Sequence, residues 1–204
     1  MQEFFWVPLL LTLSIILISL ILFQKSLKNR SIQQIPTQIP TSPPTDSVAV
    51  GKDYEVFLSF RGTDTRKGFT DFLYTYLVGA SVRTFRDDNE LRVGEEIGPD
   101  LLKAITESKI SIPIFSKNYA SSKWCLRELT QMVECQAKEN GGQLIFPIFY
   151  DVDPSDVQHQ RGSYEKAFRQ YRKSLDEKTV QQWEKAMTVV GELKGLELKK
   201  ETNG

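Results

Sequence analysis

Histidine is nearly absent from this chain: His159 is the single one in 204 residues, beside two cysteines, Cys125 and Cys135. With so few nitrogen and sulfur ligands, a zinc site has no plausible donor set, and no metal is expected. A lone histidine next to Gln160 reads as a surface residue rather than a general base. The two cysteines fall on one helical pattern, about 15 Å apart at the helical rise, which is beyond disulfide reach. They read as small buried thiols in reduced form. Charge of one sign is not in excess either, with 26 Lys plus Arg against 26 Asp plus Glu. Without a dense basic stripe interleaved with aromatics, nucleic acid is not an expected partner. The phosphate-loop patterns GxGxxG and GxxxxGK[ST] and the nucleophile elbow GxSxG do not occur.

What the chain does have is one long apolar run. Residues Phe4 to Phe23 carry no charge and are dominated by Leu and Ile, enough at helical rise to cross about 30 Å of hydrocarbon. No small-x-small cleavage site follows, so an anchor is favoured over a cleaved signal peptide. Lys25, Lys28 and Arg30 follow the run, and no basic residue precedes it. The basic flank predicts a single-pass membrane protein whose folded part faces the cytosol. The domain plan is then an anchor over 1–30, a tether over 31–52, a folded domain over 53–198 and a polar tail over 199–204. Pro36, Pro40, Pro43 and Pro44 keep the tether extended.

Within the folded part, apolar runs at 54–60, 82–86, 110–115, 143–150 and, weakly, 195–198 alternate with helical patterns. Strands alternating with helices predict a doubly wound, five-stranded parallel sheet. Helices are expected over 66–78, from Pro99, from Ser121 or Ser122 to about Lys138, over 163–172 and over 180–193. Asp151 to Asp156 reads as a turn around Pro154, and Gly191 and Gly195 as loosening the end. In such sheets ligands bind outside the carboxyl ends of the strands, where strand order reverses. Arg61 and Gly62 would lie at that edge, beside a long charged loop over Asp87–Ile97 and the start of the helix holding Trp124 and Glu128. The last two are four residues apart and share a helix face. An aromatic plate beside one carboxylate suits a nucleotide: a base or nicotinamide stacks, and the carboxylate accepts ribose hydroxyls or steadies an oxocarbenium centre. Glycosidases normally use two carboxylates, but nicotinamide departs from NAD already cationic, so a single glutamate could suffice. The residues alone leave open a plainer reading, with Trp124 as core packing and Glu128 as a solvated helix residue.

Four colinear motifs resolve part of this ambiguity. YEVFLSFRG with Asp64, Thr65 and Arg66, the loop with Gly94, Glu95, Glu96 and Ile97, SKWCLREL from Ser122, and PIFYDVDPSDV from Pro147 together span residues 53–198. In this order they resemble the TIR domain of plant intracellular immune receptors. The resemblance implies a flavodoxin-like fold and NAD hydrolysis on self-association. It implies Glu128 as the catalytic glutamate and Arg61, Gly62, Trp124, Ser122, Leu91, Gly94 and Ile97 as substrate contacts. NAD would be substrate, with no cofactor, and other TIR domains would be partners. Two departures stand out: Thr70 and Asp71 occupy the place of a Ser-His pair used in family self-association, and Leu196 follows Gly195 where tryptophan is common. Read as a TIR-only chain ending at Gly204, it lacks room for the family's closing helix, which predicts lowered stability or weakened self-association. A non-enzymatic module pairing with full-length receptors is the alternative function.

Overall fold

The structure, a computed structural model, describes residues 54–86, 99–138 and 143–199. The chain divides into two units, Met1–Lys52 and Asp53–Gly204, and the description below concerns the second. The anchor and tether expected over 1–52 and the charged loop over Asp87–Ile97 lie outside the described residues. The expected single-pass membrane localisation is corrected: among the described residues no helix is long and apolar enough to cross a membrane, and the run from Phe4 to Phe23 is outside them.

The core strands are β1 (Val56–Phe60) and β3 (Ile110–Phe115), both buried along their whole length. Their near-continuous apolar sequences, VFLSF and ISIPIF, suit strands covered on both faces. β2 (Thr84–Arg86) pairs with the other side of β1. β4 (Leu144–Ile145) and β5 (Ile148–Tyr150) both pair with β3, and β6 (Leu196–Leu198) pairs with β5. Every pairing is parallel, and the order is β2-β1-β3-β5-β6 with β4 on the flank of β3.

The expected five strands are therefore six among the described residues, because the run at 143–150 is broken between Ile145 and Ile148. Phe146 N–H donates to Ser111 O, so Ser111, and with it Pro113 two residues on, turns its backbone toward this strand. Pro113 has no N–H to offer there, whereas Pro147 turns its backbone to the other side, its carbonyl accepting from Leu196 N–H at 3.0 Å. The donor that Pro113 lacks interrupts the ladder.

Helices cover the faces. A short α1 (Gly62–Thr65) follows β1 directly, where a loop was expected, and α2 (Asp71–Gly79) begins after a kink at Lys67 and Gly68. α3 (Pro99–Glu107) leads into β3. α4 (Lys123–Gln136) buries Cys125, Leu126, Glu128, Leu129, Met132 and Cys135. Both cysteines are free thiols. The turn expected at Pro154 is a helix, α5 (Pro154–Gln158), because Asp153 caps it by accepting from Ser155 N–H at 2.7 Å and proline suits a first helical position. α6 (Ser163–Ser174) and α7 (Glu177–Gly191) complete the set. α7 starts three residues before the expected 180 because Asp176 caps the Thr179 N–H at 2.9 Å. Gly191 and Gly195 do not loosen the end. A Cβ at Gly191 would fall 2.6 Å from Gln158 Cα, and one at Gly195 2.3 Å from Pro147 O. Both glycines admit backbone to a distance no side chain permits.

Candidate functional site

Strand order reverses between β1 and β3, so the carboxyl ends of these two strands flank the crevice where this architecture binds ligands. Phe60, Arg61 and Gly62 emerge from β1 there, and Ser116 to Tyr119 from β3. A 3-10 turn (Tyr119–Ser121) then delivers the chain to α4, whose N-terminus lies at the same edge.

Glu128, in the second turn of α4, is buried to 3% exposure. That removes the solvated-helix reading. The Ser59 hydroxyl donates to its Oε2 at 2.6 Å, and Ser59 Oγ lies 2.7 Å from the Tyr119 hydroxyl. Tyr119 Oη also reaches Cys125 O at 3.2 Å, and Cys125 Sγ donates to Phe60 O at 3.4 Å. Both Ser59 and Tyr119 are buried. Burial pushes the Tyr119 phenol well above its ordinary value, reinforced by the neighbouring Cys125 and Glu128 and opposed by the Ser59 hydrogen bond. It stays a neutral hydroxyl across the working pH range.

The other expected residues divide into three groups. Arg61 is half-buried and paired with Asp64 at 2.5 Å, with Thr63 as a second acceptor. Gly62 opens α1 immediately beside it. On α4, Ser122 is the cap, its Oγ accepting from Cys125 N–H at 3.3 Å, and Trp124 is half-buried against the core with its indole nitrogen shielded and unpartnered. Leu91, Gly94 and Ile97 lie outside the described residues. The geometry thus gathers the end of β1 and the start of α4 around Glu128.

Asp64 was quoted in the sequence only as part of a motif, yet it organises the edge. Its carboxylate accepts from Arg61, from Ser116 Oγ at 2.7 Å and from the Asn118 N–H at 3.1 Å. Burial works against its charge, but the bonds from Ser116 and Arg61, the Arg61 charge and the Asn118 amide outweigh it and hold the carboxyl below the usual range. Asp64, Ser116, Lys117, Asn118, Tyr150 and Asp151 line a cleft of about 220 Å³ at the carboxyl ends of β1, β3 and β5. Phe69 stacks on Tyr150 at its flank, ring centroids 5.2 Å apart. Ser59 and Tyr119 were also missed, although Ser59 is the one polar residue inside an apolar strand.

A doubly wound parallel sheet with a buried glutamate at its switch point defines the class: an α/β domain of flavodoxin-like topology. Residues 53–203 match the TIR domain family, and the chain belongs to it. Among curated proteins it is 50% identical over 155 residues to the disease resistance protein RUN1 of Vitis rotundifolia, across 76% of this chain and 12% of that one. It is 46% identical over 144 residues to the TMV resistance protein N of Nicotiana glutinosa, across 70% of this chain and 12% of that protein. The chain therefore spans about an eighth of the length of these relatives. Among solved structures, the TIR domains of the activated Roq1 resistosome, which directly recognises the pathogen effector XopQ, superpose with a TM-score of 0.64 at 44% identity, covering 74% of this chain and 91% of that one. The chain carries a TIR domain related to those of plant disease-resistance proteins.

Proposed function

We propose that this TIR domain hydrolyses NAD to nicotinamide and an ADP-ribose product when copies of it associate, with Glu128 as the catalytic carboxylate. The observation that carries the reading is Glu128 itself: a buried carboxylate fixed by Ser59 at the switch-point edge, on the motif through which the chain resembles its family. A solvated helix residue has no reason to be held there.

In the proposed reaction the C–N bond between ribose and nicotinamide breaks, and its electron pair neutralises the cationic ring nitrogen. No acid is needed for departure. Glu128 stabilises the oxocarbenium centre left on the ribose, and water adds to that carbon and loses a proton. Arg61 and Gly62 at the end of β1, Ser122 and Trp124 at the start of α4, and Leu91, Gly94 and Ile97 are the proposed substrate contacts. The test is nicotinamide release by the full chain against its Glu128→Ala variant. Release falling at least about a hundredfold in a variant with unchanged circular dichroism supports the reading; equal release removes it.

A second reading, an interaction module that pairs with other TIR domains without catalysis, is favoured by one surface. Phe72 and Tyr76 on α2 are 39% and 41% exposed, with ring centroids 4.6 Å apart. Exposed aromatic pairs are common at protein contacts. Binding of a second TIR domain that is lost in Tyr76→Asp and indifferent to Glu128→Ala would favour this module.

A further inference from the structure

The hydrogen bonds around Glu128 form a chain with a definite proton count. Tyr119 and Ser59 contribute one hydroxyl proton each. Across the row Cys125 O, Tyr119 Oη, Ser59 Oγ and Glu128 Oε2, the spacings are 3.2, 2.7 and 2.6 Å. With Glu128 ionised, Ser59 donates to the carboxylate and Tyr119 donates to Ser59. With a proton on Oε2 those two bonds reverse, Glu128 donating to Ser59 and Ser59 to Tyr119, and the Tyr119 proton turns to the Cys125 carbonyl. Either arrangement leaves every hydroxyl donor paired without moving a heavy atom.

We propose that Ser59 and Tyr119 are positioning residues, a reversible hydrogen-bond relay that holds Glu128 in one place in both of its protonation states. The proposal rests on the reading of Glu128 as the catalytic carboxylate. During turnover that group faces a growing positive charge and then a proton released by water, and a relay that accepts either state avoids rearrangement inside the site. A hydroxyl at 119 is required for this, and a phenol kept neutral by burial supplies it. The titratable groups next to the relay are the Cys125 and Glu128 side chains on α4 and Tyr164 on α6, whose hydroxyl is engaged with Ser116 O at 2.6 Å.

The relay makes a prediction with two opposite signs. Replacing Ser59 with Ala removes the donor to the charged carboxylate, so the Glu128 pKa rises. In Tyr119→Phe the charged state keeps its Ser59 donor, but in the protonated state the Ser59 proton has no acceptor, so the Glu128 pKa falls. General loosening or tightening of the site would move both in one direction. The experiment is infrared titration of the Glu128 carboxyl in the full 204-residue chain, with the band assigned by its loss in Glu128→Gln. The kcat of NAD hydrolysis is followed against pH in parallel. A rise in Ser59→Ala and a fall in Tyr119→Phe, with kcat lowered by about tenfold or more in the serine variant and the acid limb of the profile displaced in the same directions, supports the relay. Shifts of one sign, or none, overturn it. The two readings fail separately. Turnover retained by Glu128→Ala would remove the hydrolase reading, whereas the infrared signs judge the relay whether or not NAD is consumed.

Discussion

Acidic side chains near the strand ends do two different jobs, and the difference is testable residue by residue. Asp64 ties the loop after β1 to the loop after β3 through Ser116 and the Asn118 amide. Because folding holds its carboxyl below the unfolded value, its contribution to stability is fully present above the ordinary aspartate pKa, about 3.9, and is lost as pH falls through the lower folded value. Asp64→Asn should therefore cost about 1–3 kcal/mol at pH 7, and the gap to wild type should close as the pH approaches 2. Urea unfolding at several pH values checks this, and a gap independent of pH would contradict it. Glu128 does the other job, since a buried carboxylate seated at a ligand edge is poorly explained by stability. It was singled out in the sequence by its motif and the resemblance that motif carries, but its burial and its Ser59 partner were not legible there. Those depend on strand and helix being brought together across 69 positions, which no local pattern records.

Among the elements, proline and glycine account for most of what the sequence concealed. The four long apolar runs did announce strands, and the parallel order followed from their alternation with helices. The break between β4 and β5 comes instead from Pro113, which has no amide to offer on the side of β3 that Ser111 turns to Phe146, a matter of register invisible along either run. Capping explains the misread helix starts: Asp153 and Asp176 were legible as polar residues, but whether each turned to a backbone amide was decided by the local chain path. Gly195 was read as loosening the end and instead lets β6 close on β5, with Leu196 N–H donating to Pro147 O at 3.0 Å. Gly195→Ala would set a Cβ against that same oxygen and against Phe149 Cε2 at 2.9 Å. A loss of about 1–3 kcal/mol is expected, read as a lower urea midpoint; an unchanged midpoint would show that β6 can shift freely. Ser122→Ala tests the start of α4 in the same way, with about 1 kcal/mol expected from the lost cap.

For the whole molecule, the central claim is that a TIR domain becomes an NAD hydrolase through association of its copies. The family follows from residues 53–203 and from likeness to plant resistance proteins, while the activity is a proposal that rests on Glu128 and the edge around it. If the site is completed by a neighbouring copy, turnover per molecule must rise with protein concentration. Charge gives no strong field for or against such contacts, with 26 basic and 26 acidic residues in the chain. The most direct measurement is NAD consumption by the purified full chain over a hundredfold range of concentration (about 0.1 to 10 μM, spanning weak association), with Glu128→Ala in parallel and circular dichroism confirming the fold. The account predicts a rate that climbs more steeply than linearly with protein and is abolished in the variant. A folded wild-type chain that consumes no NAD at any concentration, or a variant that consumes it equally, would contradict it.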